Sequence, residues 1–100
     1  MIRGTTPTHI YNIPFDPELI QSLRIIYVQN DEMLFVKERK DCIVDGRQIS
    51  VKLTQEETLM MDAAQLVEIQ MRVLTTGGDA LASKPKKVAV GRLLEDEVIK

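Results

Sequence analysis

The stretch that most constrains the fold runs from Leu66 to Arg92 and has the pattern of a long β-hairpin. On its first arm, apolar and polar residues alternate, which is typical of a strand with one face on a core and one in water. A turn is expected at Gly77-Gly78-Asp79, because glycine takes positive φ at little steric cost. Val88 and Val90 restart the alternation on the returning arm. The inward residues of the first arm are Val67, Ile69, Met71 and Val73.

The returning arm is interrupted by Pro85 inside the chain's main lysine cluster, which consists of Lys84, Lys86 and Lys87. Proline has no N–H to give to a ladder, so this strand is expected at a sheet edge or at a bulge. Lysines on an edge strand discourage pairing with other chains. Contact with an anionic partner is the alternative interpretation of the cluster.

Five shorter strands are predicted before the hairpin, at residues 8–13, 22–29, 33–39, 42–44 and 47–53. Asp45-Gly46 predicts a type I′ turn between the last two. Thr54 to Glu57 is a capping-box signature that should start one or two helical turns, and Asp16-Pro17 should start another short one. The run Lys37 to Asp41 is interpreted as a solvated strand end. Beside the inward residues of the long hairpin, the predicted core contains Ile25, Ile49, Val51 and Val88.

The predicted fold is therefore all-β: an antiparallel β-sandwich of about seven strands with one or two short helical turns. Its later features come in a particular order: a capped helical corner, the longest strand, a glycine turn and a broken edge strand. That order resembles the closing half of immunoglobulin-like domains. One domain is expected over residues 1–100, with residues 1–7 as a flexible arm and residues 93–100 as a tail.

Charge and apolar runs exclude several classes of function. The chain has 13 basic and 15 acidic residues that are interspersed, so it offers no field to attract nucleic acid. Its longest apolar runs are a few residues, too short for a transmembrane helix, and we expect no membrane partner. The first residues lack the pattern of a signal peptide. With Cys42 as the single cysteine, a reducing, cytoplasmic site of synthesis is expected.

No residue pattern points to catalysis. His9 and Cys42 are one histidine and one cysteine far apart in sequence, too few for a zinc site. Cys42 has no histidine nearby to activate it and is interpreted as a small core residue. Gly77-Gly78 is not followed by the lysine and hydroxyl residue of a phosphate loop. We therefore expect no enzyme activity, no catalytic residue, no metal and no cofactor.

Four stretches carry a resemblance to known proteins: RGTTPTHIYNIPFD, RIIYVQND, VKLTQEETLMM and VLTTGGDALASKPKKVAV. Together they resemble a group of short, uncharacterised proteins encoded among prophage structural genes of Firmicutes. The layout is also similar to the N-terminal β-sandwich domain of phage baseplate upper proteins, which dock a receptor-binding assembly onto the tail. The resemblance implies a structural component of a virion and supplies no catalytic residue. The single domain expected over residues 1–100 differs from the layout of the baseplate proteins.

The resulting hypothesis is a non-enzymatic structural or protein-interaction module, a phage or prophage component of the baseplate or tail. Its expected partners are other protein subunits or a second copy of itself, and it would be assembled into a virion after synthesis. The alternative is a carbohydrate- or surface-binding sandwich, which would expose its aromatic residues. The four aromatic residues are therefore diagnostic: Tyr11, Phe15, Tyr27 and Phe35.

Two candidate interaction surfaces emerge. One is the edge with the three lysines, Lys84, Lys86 and Lys87, and the other is the tail. A helical turn in the tail would bring residues four positions apart, Leu94 and Val98, onto one face. Such a face would cover the chain's own sandwich or dock on another protein. The apolar residues of the tail are Leu93, Leu94, Val98 and Ile99.

Overall fold

Eight strands and one short α-helix follow one another in the computed structural model, which describes residues 1–100. The helix is α1 (Gln55–Leu59), and 3₁₀ turns occupy Pro17–Leu19 and Arg39–Asp41. The strands are β1 (Thr8–Asn12), β2 (Ile20–Gln29), β3 (Glu32–Glu38), β4 (Cys42–Asp45), β5 (Gln48–Lys52), β6 (Val67–Thr75), β7 (Ala80–Ala82) and β8 (Lys86–Val88).

The strands form two antiparallel sheets, which confirms the predicted all-β sandwich. One sheet has the order β1-β5-β4 and the other the order β3-β2-β6, with β7 and β8 both on the far side of β6. Immunoglobulin domains place strands A-B-E-D in one sheet and C-F-G in the other, with C′ added beside C in some of them. The present order is B-E-D facing C′-C-F-G, with G broken in two. The position of strand A, beside β1, holds no strand.

The returning arm of the long hairpin is an edge strand broken at Pro85, as expected. β7 pairs with one half of β6 and β8 with the other half. Between them, Ser83 keeps the ladder bonded, because the Met71 N–H donates to Ser83 Oγ at 3.0 Å and the Ser83 N–H donates to the Met71 carbonyl at 2.9 Å. The break therefore separates β7 from β8 without leaving Met71 unpaired.

The two tight hairpin turns have different backbone conformations. In the β2–β3 turn, Asn30 and Asp31 have φ of 54° and 61°, the pair of positive values that a type I′ turn requires. In the β4–β5 turn, the register pairs Asp45 with Gln48, so the central residues are Gly46 and Arg47. Only the glycine there has positive φ, and the prediction of a type I′ turn centred on Asp45-Gly46 was wrong. Asn and Asp tolerate the left-handed region better than other side chains, so they replace glycine in the first turn.

The core lies between the sheets and confirms most of the predicted inward residues. All four inward residues of β6 are buried, and Ile25, Ile49 and Val51 are at most 1% exposed. Val88 is half-buried instead of buried, because β8 is an edge strand at the rim of the sandwich. The full set of buried apolar residues is Ile13, Ile20, Leu23, Ile25, Tyr27, Ile49, Val51, Leu53, Met61, Val67, Ile69, Met71, Val73 and Val90.

A capping box starts α1, as predicted. The Glu57 N–H donates to Thr54 Oγ1 at 3.1 Å, and the Thr54 N–H donates to Glu57 Oε1 at 2.8 Å. The other oxygen of Glu57 lies 2.5 Å from Lys37 Nζ, and the Lys37 side chain is 11% exposed. Lys37 is therefore buried and paired, which corrects its assignment to a solvated strand end. The reason is its register, which places it opposite the buried Ile25 on the inner face of β3.

Candidate interaction surface

The three lysines of the first candidate surface are exposed and point in different directions. Lys86 lies opposite the buried Ile69 in register, so it shares the inner face and stands at the rim of the sandwich. Lys87 lies opposite Glu68 on the outer face. Lys84 belongs to the break between β7 and β8. An inward-pointing charge on an edge strand is a known protection against edge-to-edge pairing, and Lys86 has that position.

The tail does not form the helical turn considered from the sequence. Residues 93–100 have no regular secondary structure, and Leu94 and Ile99 are 87% and 78% exposed. Val98 is half-buried, so it does not share a buried face with Leu94. The backbone of the tail is bonded to a side chain instead of forming a helical turn. The Gln55 side-chain amide accepts from the Ile99 N–H at 2.8 Å and donates to the Ile99 carbonyl at 3.1 Å.

Residues 1–7, expected to be a flexible arm, are bonded to the end of the hairpin and to α1. The Arg3 N–H donates to the Gly91 carbonyl at 3.1 Å, next to a parallel bridge between Ile2 and Gly91. The Arg3 guanidinium donates to the Leu59 and Met61 carbonyls and pairs with Asp96 of the tail. Arg3 thus joins the first residues, the helical corner and the tail. Leu93 packs close to Gly4 in the same place.

A cleft of about 580 Å³ separates β1 from β8. Its charged lining residues are Lys86 and Lys87, and it contains no acidic residue. A second cleft of about 230 Å³, mostly apolar, lies between the end of β1 and β7, with Met71 and Val73 among its lining residues. Both clefts open on the side of the sandwich where immunoglobulin domains carry strand A. The lining of the larger cleft is Met1, Pro7, Thr8, His9, Ile10, Tyr11, Ile69, Lys86, Lys87, Val88 and Ala89.

The edge of β1 beside this cleft has free backbone groups. β1 pairs only with β5, and the flanking residues Pro7 and Ile13 both bond across to the β5 side. Because bonding alternates along an antiparallel strand, the backbone N–H and C=O groups of Thr8, Ile10 and Asn12 point away from β5. β1 contains no charged residue and no proline. It therefore lacks the protection that Pro85 and the lysines give to the opposite edge.

A histidine and a tyrosine meet on the inner side of β1. A 2.7 Å hydrogen bond joins Nδ1 of His9 to the hydroxyl of Tyr27, and their rings stack. Burial, followed by the positive charges of the N-terminal amine and Lys86, lowers the pKa of His9. Burial, followed by the nearby Tyr11, raises the pKa of Tyr27 far above its usual range. Both groups are therefore neutral at pH 7, a state that suits a structural hydrogen bond.

The four aromatic residues do not form an exposed row. Tyr27 is fully buried, and Tyr11, Phe15 and Phe35 are half-buried and packed against the core. Phe35 stacks on Tyr27 with ring centroids 4.6 Å apart. None of the four aromatic residues is fully exposed at the surface.

Sequence reasoning missed a row on the outer face of the three-stranded sheet in which two exposed isoleucines flank a serine. Ile10 and Ile43 both lie opposite Ser50 in register, one on each side, and they are 55% and 72% exposed. The available signal was parity: Ile10 and Ile43 are spaced by two residues from polar outward residues, Thr8 and Asp45. Ile49 and Val51 of β5 were predicted to point inward, so Ser50 and the two isoleucines beside it point outward.

Cys42 is half-buried against the core, in agreement with its interpretation as a small structural residue. Its thiol donates to the Glu38 carbonyl at 3.3 Å. Burial, with a smaller contribution from Asp41, raises its pKa above the usual value. The fold brings together no group of three or more histidine, cysteine or acidic residues with the geometry of a metal site.

No family model matches the chain, no curated protein matches it, and no solved structure matches it. None of its helices has the length and apolar character needed to cross a membrane.

Proposed function

We propose that the chain is a non-enzymatic protein-interaction module of a phage or prophage virion, in the baseplate or tail. The proposal combines the resemblance of its sequence to prophage structural-type proteins with a surface suited to contact. In this role the protein acts by docking on neighbouring subunits or on a second copy. It is made in the cytoplasm and then assembled into the particle.

The observation that carries the proposal is the row with two exposed isoleucines on the outer face of the three-stranded sheet. Single exposed apolar residues are ordinary on soluble proteins, but Ile10 and Ile43 flank Ser50 on three adjacent strands. The row ends at β1, whose free edge offers backbone donors and acceptors beside it. Two exposed isoleucines beside an unprotected strand edge are suited to contact with another protein.

The second candidate function is binding of a carbohydrate or a surface. It depends on exposed aromatic residues, and the partial or full burial of Tyr11, Phe15, Tyr27 and Phe35 favours the protein-interaction proposal over it. Glycan-array binding of the full chain, lost on substitution of a half-buried aromatic residue such as Tyr11, would reverse that preference.

Co-sedimentation with particles tests the proposed function. Lysogens of the encoding strain are induced, the particles are banded by density, and the protein is detected with an antibody. We expect a fixed ratio of the protein to the major tail subunits. The double variant Ile10→Lys/Ile43→Lys should remain in the soluble fraction, whereas Met33→Lys, at a 60% exposed site on the other sheet, should band normally. Absence of the wild-type protein from banded particles, with ample protein in the lysate, would overturn the proposal.

A further inference from the structure

The open side of the sandwich has a strand position that the chain does not fill. In immunoglobulin domains strand A pairs beside strand B, which corresponds here to β1. The structure has a cleft at that position, and β1 turns the backbone groups of Thr8, Ile10 and Asn12 toward the open side. An extended peptide laid beside β1 could bond with those groups, which is the usual mode of strand addition to a sheet edge.

Charge and polarity restrict what can occupy this position. The charged side chains that line the cleft, Lys86 and Lys87, are both positive. The apolar part of its lining includes Ile69 and Val88. A fitting strand therefore carries apolar residues with an acidic residue between them, because like charges beside the lysines would be unfavourable.

The chain contains one segment with that chemistry and with exposed apolar side chains. Residues 93–100 read LLEDEVIK, with three consecutive acids between apolar pairs. Leu94 and Ile99 are the two most exposed large apolar side chains of the protein, at 87% and 78%. Glu95 and Glu97 have no ionic partner, and Asp96 pairs with Arg3 at the surface.

We propose that the tail of a second copy adds beside β1 as an extended strand, in the vacant strand A position. The inference rests on the proposed function and specifies its partner as a second copy. In an extended tail, alternate residues share a face, so Leu94, Asp96 and Val98 point together. With that face in the cleft, Asp96 exchanges Arg3 for Lys86, and Leu94 and Val98 cover the apolar lining. Glu95, Glu97 and Ile99 then lie on the other face of the added strand, which is the side of Lys87. The two candidate surfaces, the lysine edge and the tail, are then complementary halves of one contact.

Docking requires the tail to leave its position on its own domain, and the contacts that hold it there are weak ones. The Arg3–Asp96 pair has an Asp96 side chain that is 72% exposed, and exposed ion pairs contribute little to stability. The Gln55 amide holds the Ile99 backbone through two exposed hydrogen bonds. A reciprocal exchange of tails between two copies closes a twofold dimer, whereas one-way docking extends into a filament.

Fluorescence anisotropy with a labelled peptide tests the contact directly. The probe is the synthetic peptide LLEDEVIK, added to the full chain, and a scrambled peptide of the same composition is the control. We expect saturable binding that weakens with salt, and a loss of about tenfold in affinity for Lys86→Glu. Lys40→Glu, an equal charge change at an exposed site on Arg39–Asp41, should bind like the wild type. Equal binding of both peptides, or no binding of LLEDEVIK, overturns the proposal.

Sedimentation velocity of mixed variants separates this proposal from other modes of association. Leu94→Asp and Lys86→Glu should each sediment as monomers at concentrations where the wild type forms dimers. Mixing them should restore a heterodimer, because one copy keeps an intact tail and the other an intact cleft. Met33→Asp, at a 60% exposed site on the other sheet, should dimerise normally. Dimers that persist in Leu94→Asp would refute tail docking but leave the proposed function standing. A wild type that stays monomeric would also refute tail docking. Particle co-sedimentation tests the proposed function separately in either case.

Discussion

The corner around α1 and the open side beside β1 are held in opposite ways. At the corner, the buried Gln29 amide donates to the Asp62 and Gln65 carbonyls at 2.6 and 3.1 Å and accepts from the Asp62 N–H at 2.7 Å. The buried Thr58 hydroxyl donates to the Thr5 carbonyl at 2.8 Å. On the open side, β1 leaves backbone groups free. At the corner, side chains form hydrogen bonds with the backbone groups of irregular segments. On the open side, backbone groups of a regular strand have no partner in the chain.

This difference indicates which part of the fold provides stability and which part is available for binding. Buried polar groups stabilise a fold only when all of them are bonded, and no buried side-chain nitrogen or oxygen lacks a partner here. A free strand edge at the surface is satisfied by water and can exchange that water for a partner strand. Substitutions at the corner should therefore change stability, and substitutions on the exposed side of β1 should change association.

The largest expected loss tests whether the floor of the open side belongs to the core. Ile69 is 3% exposed and lies under the cleft. Ile69→Ala should lower the free energy of unfolding by about 2–5 kcal/mol, measured by urea denaturation. Ile10→Ala, at the 55% exposed residue of the same cleft, should change it by less than about 0.5 kcal/mol. A loss below about 1 kcal/mol at Ile69 would mean that the cleft floor is not packed.

The next effect tests the corner. Gln29→Leu removes three hydrogen bonds and leaves backbone groups of Asp62 and Gln65 unsatisfied, so it should destabilise the fold by about 1–3 kcal/mol. Gln70→Leu is the matched control, because Gln70 is half-buried and its side chain makes one bond, to the Ser83 carbonyl. Equal losses in the two variants would show that the corner is no more dependent on polar bonds than the hairpin.

A smaller effect tests the packing of the first residues on the tail. Gly4 has φ of +73°, and a Cβ there would overlap a methyl carbon of Leu93. Gly4→Ala should cost about 1–2 kcal/mol for the left-handed backbone, plus the displacement of Leu93. Gly46→Ala isolates the backbone part, because Gly46 has φ of +58° and nothing within 4 Å. Thermal unfolding that affects Gly46→Ala more than Gly4→Ala would contradict this packing.

The smallest expected effect is a pH dependence from the inner side of β1. The pKa of His9 is lowered from 6.5 by burial first, so the folded state binds its proton less readily than the unfolded state. Stability should therefore fall as the pH drops below 6.5 and level off below the folded pKa. His9→Gln should lose less stability than the wild type between pH 7 and about pH 5.5, by urea denaturation. Identical pH profiles would mean that His9 is solvated.

The fold was largely predictable because its signals are local. The alternation of Val67, Ile69 and Met71 follows from the two-residue period of a strand, and the Thr54–Glu57 capping box needs only four consecutive residues. The break in the returning arm was predicted from Pro85 itself, because proline has no N–H to donate to a ladder. These features depend on sequence neighbours, so the chain order alone identifies them.

The interaction surface was only partly predictable, because it depends on register between distant strands. Parity within each strand indicates that Ile10 and Ile43 face outward, but their meeting on either side of Ser50 depends on the pairing of three strands. Lys37 belongs to a charged run in the sequence, yet its register with Ile25 turns it inward to Glu57. A helical turn in the tail was considered because Leu94 and Val98 are four residues apart. The four-residue spacing carries no information about the competing hydrogen bonds between the Gln55 side chain and the backbone of Ile99.

The pairing of β1 with β5 also sets an order of events during synthesis. Asn12 ends β1 and Gln48 begins β5, so 35 residues separate the two strands. Translation at roughly 5–20 residues per second takes about 2–7 seconds to produce that interval. The hairpins β2–β3 and β4–β5 close across two-residue turns and can form as they emerge. β2 also waits for β6, but it already has β3 as a neighbour. β1 therefore waits longest for its first partner, and it is the last strand added to the three-stranded sheet.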